Sequence, residues 1–191
     1  DFMLYAMDAI VNQGAKWSHM FGGQAHPGVT IRNIINRGGE QGAQHSQALH
    51  AWFAHVPGLR VVMPSTVADA RDLLIASVLC KDPVIYIDDR WLYEQESYLP
   101  PVNELNLKNE KPAISLVGED ITIVASGYSS YLSRKTAKKL NNENIFPEVI
   151  DVRILNPLNI KDIVNSVKKT KRLLVVDPGW ISSGFSAELI A

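Results

Sequence analysis

"LRVVMPSTVADARDLLIASVLCKDPVIYID", residues 59–88, sets the frame for the whole chain. Its first part, "LRVVMP" (59–64), is short, β-branched and closed by proline, the signature of a buried strand. Its last part, "DPVIYID" (82–88), has the same character. Between them Leu73, Leu74 and Val78 make an apolar stripe, and Thr66 with Asp69 makes a capping-box variant. Strand, helix and strand in that order predict a βαβ unit with parallel strands. The near-continuous Val/Ile runs fit strands covered on both faces.

The same alternation extends both ways. Upstream, Phe2, Met3, Ala6, Met7, Ile10 and Val11 recur at helical spacing over residues 2–16, and "GVTIRNII" (28–35) predicts a strand. Residues 46–54 predict a helix ended by Pro57-Gly58. Downstream, residues 90–120 are polar, carry Pro100-Pro101 and lose the periodicity, as an interdomain connection does. A second set follows: strands at 120–127, 147–153 and 172–177, with helices near 130–140 and 160–168 and another starting near Gly184. The expected fold class is therefore α/β: two three-layer α/β/α domains with mainly parallel sheets. The expected boundaries are 1–98, a linker at 99–119, and 120–191. Both ends read as cut, with no initiator Met and a final helix barely begun, so the first domain is expected to lack its N-terminal part.

Composition narrows the function classes. Of 191 residues 46% are hydrophobic, enough for a sizeable core, and the formal charge is −1. That balance gives no electrostatic footprint for nucleic acid or an anionic membrane. One cysteine, Cys80, rules out an intramolecular disulfide and a cysteine zinc site, and suits a reducing compartment. No apolar run reaches the length of a membrane span.

The chemistry-bearing stretch is "GGEQGAQHSQALHAWFAHVPGL", residues 38–59. It holds three of the five histidines. His45 lies between a glycine-rich turn and a helix start, where loops at the carboxyl ends of parallel strands bind ligands and helix N-termini favour anions. A histidine there can donate to a carboxylate or oxyanion, or move a proton near neutral pH; local capping or packing fits the spacing too. His50 is five residues on, roughly 500° around a helix, and so faces away. It is expected on the helix surface, where replacement by alanine changes little. His55 falls near the helix end, where a cation suits the dipole. The rings diverge and HExxH is absent, against a zinc site. His19 and His26 are expected in loops. "ASGYSS" (125–130) could cradle an anion, but strand-turn-helix packing accounts for it equally. Asp88-Asp89 is expected to be surface charge and Cys80 a small hydrophobe.

At this point the residues resemble a known family. "AQHSQALHAWFAHVPGLRVVMPSTVADARDLL" is similar to the beta subunit of the thiamine-diphosphate-dependent decarboxylating component of 2-oxo acid dehydrogenase complexes. "AIVNQGAK", "VTIR", "KDPVIYID", "DITIVASG", "EVIDVRILNPL" and "TKRLLVVDPGWISSGFSAEL" extend the resemblance along almost the whole chain. It implies the end of a pyrimidine-binding transketolase-like domain followed by a transketolase C-terminal-type domain. It also implies two alpha and two beta subunits, with thiamine diphosphate between them and its diphosphate held with Mg²⁺ mainly by alpha. Further partners implied are a second beta subunit, a lipoyl acyltransferase component and a small 2-oxo acid. His45 would be the catalytic residue and Phe2 the aromatic beside the pyrimidine. The compartment would be bacterial cytoplasm or mitochondrial matrix. The alternatives are a non-catalytic transketolase-like scaffold or dimerisation subunit, or another transketolase-type thiamine enzyme. Three departures from the family stand out. Its cofactor-activating glutamate falls N-terminal to Phe2, outside this chain. Cys80 replaces an Asp near a loop that binds a structural monovalent cation in many members. "RGGEQG" (37–42) replaces a proline-containing loop before His45.

Overall fold

The computed structural model describes residues 2–36 and 41–191. The Gly38-Gly39 approach to His45 lies outside the described residues. The chain begins with a 3₁₀ turn (Phe2–Ala6), a π-helical segment (Asp8–Gly14) and α1 (Ala15–Met20). Then come β1 (Thr30–Ile35), α2 (His50–Ala54), β2 (Arg60–Val62), α3 (Val67–Leu79) and β3 (Val84–Asp89). The second half contains β4 (Ala113–Leu116), β5 (Ile121–Ala125), α4 (Gly127–Asn141), β6 (Pro147–Asp151) and β7 (Ile154–Asn156). It ends with α5 (Lys161–Thr170), β8 (Leu173–Val176) and α6 (Phe185–Ile190).

Two four-stranded sheets form, ordered β1-β3-β2-β7 and β4-β6-β5-β8. β1, β3 and β2 run parallel, as do β6, β5 and β8. Each sheet is finished by one antiparallel edge strand, so the architecture is two mainly parallel α/β layers. The βαβ unit forms as its sequence requires. Thr66 caps α3 with extended backbone, and its hydroxyl accepts from Asp69 N–H. The period-two alternation of β2 and β3 then sorts side chains between two cores. Val62, Val84 and Tyr86 pack with Leu73 and Ala76 of α3, while Val61, Met63, Ile85 and Ile87 face the other way.

That second face builds the larger core. It runs from Ile10 and Phe53 through β2 and β3 into Val124, Ile150, Leu155 and Phe185 of the second half. One apolar cluster thus joins the two sheets. Each fully buried Val or Ile in it contributes on the order of 1.5–3 kcal/mol relative to exposure.

Some elements differ from the sequence expectation. The helix expected from residue 46 starts at His50, because residues 42–45 make a turn and 47–49 are neither helix nor strand. His19 lies in α1, which runs past Lys16; His26 is in a loop as expected. β4 lies within the polar stretch and pairs with β6. β7 leaves the second half to pair with β2 of the first, Val61 opposite Asn156 and Val62 opposite Ile154.

The Pro57-Gly58 turn does more than end α2. Gly58 has φ +98, and a Cβ there would lie 1.9 Å from the carbonyl oxygen of Ala15. The N-terminal helix therefore rests directly on this turn, and only glycine permits both the backbone and the approach. Gly58→Ala is expected to destabilise the protein by about 2–3 kcal/mol, from left-handed strain plus the clash. Urea unfolding of the full-length protein measures it; an unchanged midpoint would mean that the two backbones do not meet.

Candidate functional site

An open cleft of about 1170 Å³ lies between the N-terminal helical segment and the β1 side of the first sheet. Phe2 and Ile10 come from the helical segment, Val29 and Ile31 from the β1 region, and Leu59 and Pro83 from the starts of neighbouring strands. These walls are apolar. The rim is polar and stands at the carboxyl ends of β1 and β3, where parallel sheets collect ligands. It consists of Asn36 just after β1, Arg90 just after β3, and Gln41 and His45 from the intervening loop.

His45 is half-buried in the turn at residues 42–45, which Gly42 opens with φ +69. Its ring lies against that of Phe2, centroids 5.1 Å apart and planes tilted by 46°. The two residues singled out from sequence thus meet in one cleft, although they are 43 positions apart. Phe2 remains 73% exposed, so an aromatic face is left bare for a flat partner.

The rest of the rim is organised by one amide. Asn36 is buried at the end of β1. Its Nδ2 donates to Gln41 Oε1 at 2.9 Å, and its Oδ1 accepts from Arg90 Nη1 at 3.2 Å. Asn36 therefore links the chain entering the His45 loop to the end of β3, and sets a guanidinium beside the cleft. Neither Asn36 nor Arg90 was singled out from sequence. Their position immediately after predicted strands was the available signal.

Asp88 and Asp89 are buried, not surface charge, because β3 is an inner strand of its sheet. Asp88 takes Arg32 Nε at 2.5 Å and lies 3.5 Å from the Tyr93 hydroxyl. Burial pushes the Asp88 carboxyl above its ordinary range, and Arg32 only partly opposes this. Asp89 caps the next turn by accepting from Trp91 N–H.

His50 overturns the surface expectation most completely. Its side chain is 0% exposed, and its Nε2 lies 2.8 Å from Asp177 Oδ1. Asp177 also accepts from the backbone N–H groups of Gly179 and Ser186. Burial alone would raise the Asp177 carboxyl, but the His50 hydrogen bond and these amides hold it below the ordinary range. His50 is the first residue of α2, so its orientation could not follow from a helix counted from His45. His55 is the exposed C-cap of α2.

The "ASGYSS" turn serves packing. A Cβ on Gly127 would come within 2.5 Å of the Met63 side chain, and Ser130 is buried against Asp151.

The transketolase pyrimidine-binding domain profile matches residues 1–95, and the transketolase C-terminal domain profile matches 111–191. The chain thus carries the two transketolase-type domains in that order. This transketolase-type chain is 36% identical over 189 residues to a pyruvate dehydrogenase E1 component subunit beta of Rhizobium meliloti, covering 99% of this chain and 41% of that protein. It is 39% identical over 183 residues to an acetoin:2,6-dichlorophenolindophenol oxidoreductase subunit beta of Cupriavidus necator, covering 93% and 52%. Among solved structures, a split-gene transketolase described as an inactive beta4 tetramer superposes with a TM-score of 0.74 at 20% identity. That match covers 96% of this chain and 59% of the other, and speaks to the fold alone. The transketolase-type chain spans about half the length of the curated relatives it matches.

Proposed function

We propose that this chain is part of the beta subunit of a thiamine-diphosphate-dependent 2-oxo acid dehydrogenase. That enzyme decarboxylates a 2-oxo acid oxidatively and passes the acyl unit to a lipoyl group. The observation that carries the reading is the apolar cleft in which the Phe2 and His45 rings meet beneath a polar rim. Its similarity to beta subunits named for pyruvate and acetoin supports the same reading.

The cleft fits the pyrimidine half of the cofactor. A planar heteroaromatic ring can lie on the bare face of Phe2 between aliphatic walls, which favours offset or tilted ring packing. Among the described residues no group of three or more His, Cys, Asp or Glu could hold a metal ion. The diphosphate and its Mg²⁺ are assigned to an alpha subunit closing the cleft, as the resemblance implies. When bound, the cofactor supplies the carbanion that attacks the 2-oxo carbonyl and the electron sink for loss of CO₂. The residues of this chain supply orientation and protons. His45 reaches the cleft from a short turn and can accept or donate a proton at a ring nitrogen. Arg90 places a fixed positive charge at the rim, suited to an incoming carboxylate. At the loop after α3, Cys80 offers no carboxylate to a monovalent cation and packs against the second core.

The assembly proposed is two alpha and two beta subunits, serving a lipoyl acyltransferase component in a bacterial cytoplasm or mitochondrial matrix. No described helix is long and apolar enough to cross a membrane. The test combines full-length protein with its alpha partner, thiamine diphosphate, Mg²⁺ and a panel of 2-oxo acids. CO₂ release with one of them, and acylation of a lipoyl domain, are expected. Silence with every acid would leave the non-catalytic scaffold in its place.

A further inference from the structure

Behind the cleft wall lies a polar pair that the proposed chemistry does not use. His50 and Asp177 meet at 2.8 Å, 127 positions apart, with side chains 0% and 7% exposed. The His50 ring is boxed in by the second half of the chain. The edge of Phe185 stands 6.2 Å away, and Gly179 comes so close that a Cβ there would lie 3.2 Å from His50 Cε1. Asp177 in turn binds the N–H groups of Gly179 and Ser186, so it fixes the β8–α6 connection and the first residue of α2 together.

Two further observations connect this pair with the cleft. His50 Nδ1 is buried without a partner among the described residues, and the ring lines a cavity of about 30 Å³ with Gln47 and Asn33. That space can hold one water. The cavity shares Met3, Asn33 and Ile34 with the cleft, so His50 stands directly behind the cleft wall. Along the chain, His45 is five residues before His50, and residues 47–49 between them belong to neither helix nor strand. Ala48 and Leu49 pack there against the large core, and the first regular element after the His45 turn begins at His50, which Asp177 holds.

We propose that the Asp177–His50 pair is a positioning device that sets His45 in the cleft from the second half of the molecule. The inference rests on the proposed role of His45 in catalysis. His50 and Asp177 touch no reacting atom; they act through the turn. Displacing a reacting side chain by about 1 Å can cost about 10²-fold in rate, so an anchor of this kind has kinetic weight.

Asp177→Asn keeps the size but cannot accept from His50, Gly179 and Ser186 together. In the full-length protein with its alpha partner it is expected to lower kcat by about 10- to 100-fold with little change in KM. His50→Gln, whose amide can still donate to Asp177, should retain activity within about 3-fold of wild type. In a His45→Ala background, Asp177→Asn should have no further effect, because the anchor then positions nothing. Equal losses in both backgrounds would mean a merely structural role and overturn the proposal. If Asp177→Asn fails to fold, His50→Gln against His50→Leu decides in the same way. A second readout needs no turnover. Amide exchange over residues 42–49 of the full-length protein should quicken at least about 10-fold in Asp177→Asn, with α3 unchanged. Unchanged exchange over 42–49 overturns the proposal. Wild-type protein that releases no CO₂ would sink the proposed function instead, and the exchange measurement would still judge the anchor.

Discussion

His45→Ala is expected to cut turnover, or acylation of the lipoyl group, by roughly 10²-fold or more. That is the size of effect that follows loss of a proton-transfer partner or an oxyanion donor. The geometry restricts how the loss should appear. His45 lies beside Phe2 at the cleft edge and not in the large core, so folding should be little affected. Affinity for the cofactor should fall only modestly, because Phe2 and the aliphatic walls remain. A fall in kcat with an intact thermal transition is the expected pattern. Phe2→Ala should do the reverse, weakening cofactor binding more than the chemical step. If His45→Ala merely lowers stability, the histidine packs the turn and the catalytic assignment moves elsewhere on the rim, with Arg90 the first residue to try.

The second large effect is expected at Asp151, far from the cleft mouth. Its side chain is 1% exposed at the end of β6. One carboxylate oxygen accepts from Ser130 at 2.7 Å and the other from Ser65, which follows β2 in the first half. Arg134 of α4 donates to both the hydroxyl and the carbonyl of Ser65, with its Nη1 3.5 Å from the carboxylate. Asp151→Ala would take the acceptor from two buried hydroxyl donors and the anion from beside a mostly buried guanidinium at the seam between the halves. A loss of about 3–5 kcal/mol is expected, measured by urea unfolding of the full-length protein. Unfolding within about 1 kcal/mol of wild type would mean that water or a shifted side chain replaces the carboxylate.

The same group gives a pH signature. Burial pushes the Asp151 carboxyl up to about 6, against the lowering pull of Ser65, Ser130 and Arg134. A carboxyl raised in the folded state binds its proton more tightly there than when unfolded. Its contribution is therefore complete below its ordinary pKa and is lost as pH rises through about 6. The stability of wild type relative to Asp151→Asn should decline by roughly 3 kcal/mol between about pH 4 and 7, then level off. A flat difference over that range would show that the carboxyl is not raised.

The parallel α/β fold was legible because its signals are local. The Thr66–Asp69 cap, the strand on either side of α3 and the Pro57-Gly58 stop all act within a few residues. Motif resemblance added the family, and with it Phe2 and His45 as the residues to watch. What periodicity gave less well were elements whose partners are remote. β4 is a strand because β6 lies beside it, and β7 because β2 does. Neither carries a strong pattern of its own.

The cleft divides in the same way. Histidine, glycine-rich turn and strand ends pointed to His45, and Asn36 and Arg90 were recoverable from strand-end position alone. His50 was not. Counting helix turns from His45 assumed a helix that starts four residues too early, and the carboxylate that buries the ring is 127 positions away. Asp88, Asp89 and Asp151 follow the same rule: charged in sequence, buried in the fold, because cations, hydroxyls or backbone amides arrive from elsewhere. By itself the sequence determined the parallel strands and the main helices of the two α/β sets, and pointed to His45 and the family. Only the tertiary structure decided which polar residues face the cleft and which lock its two halves together. Propensity and capping are set by neighbours in the chain, whereas burial and partner choice are set by neighbours in space.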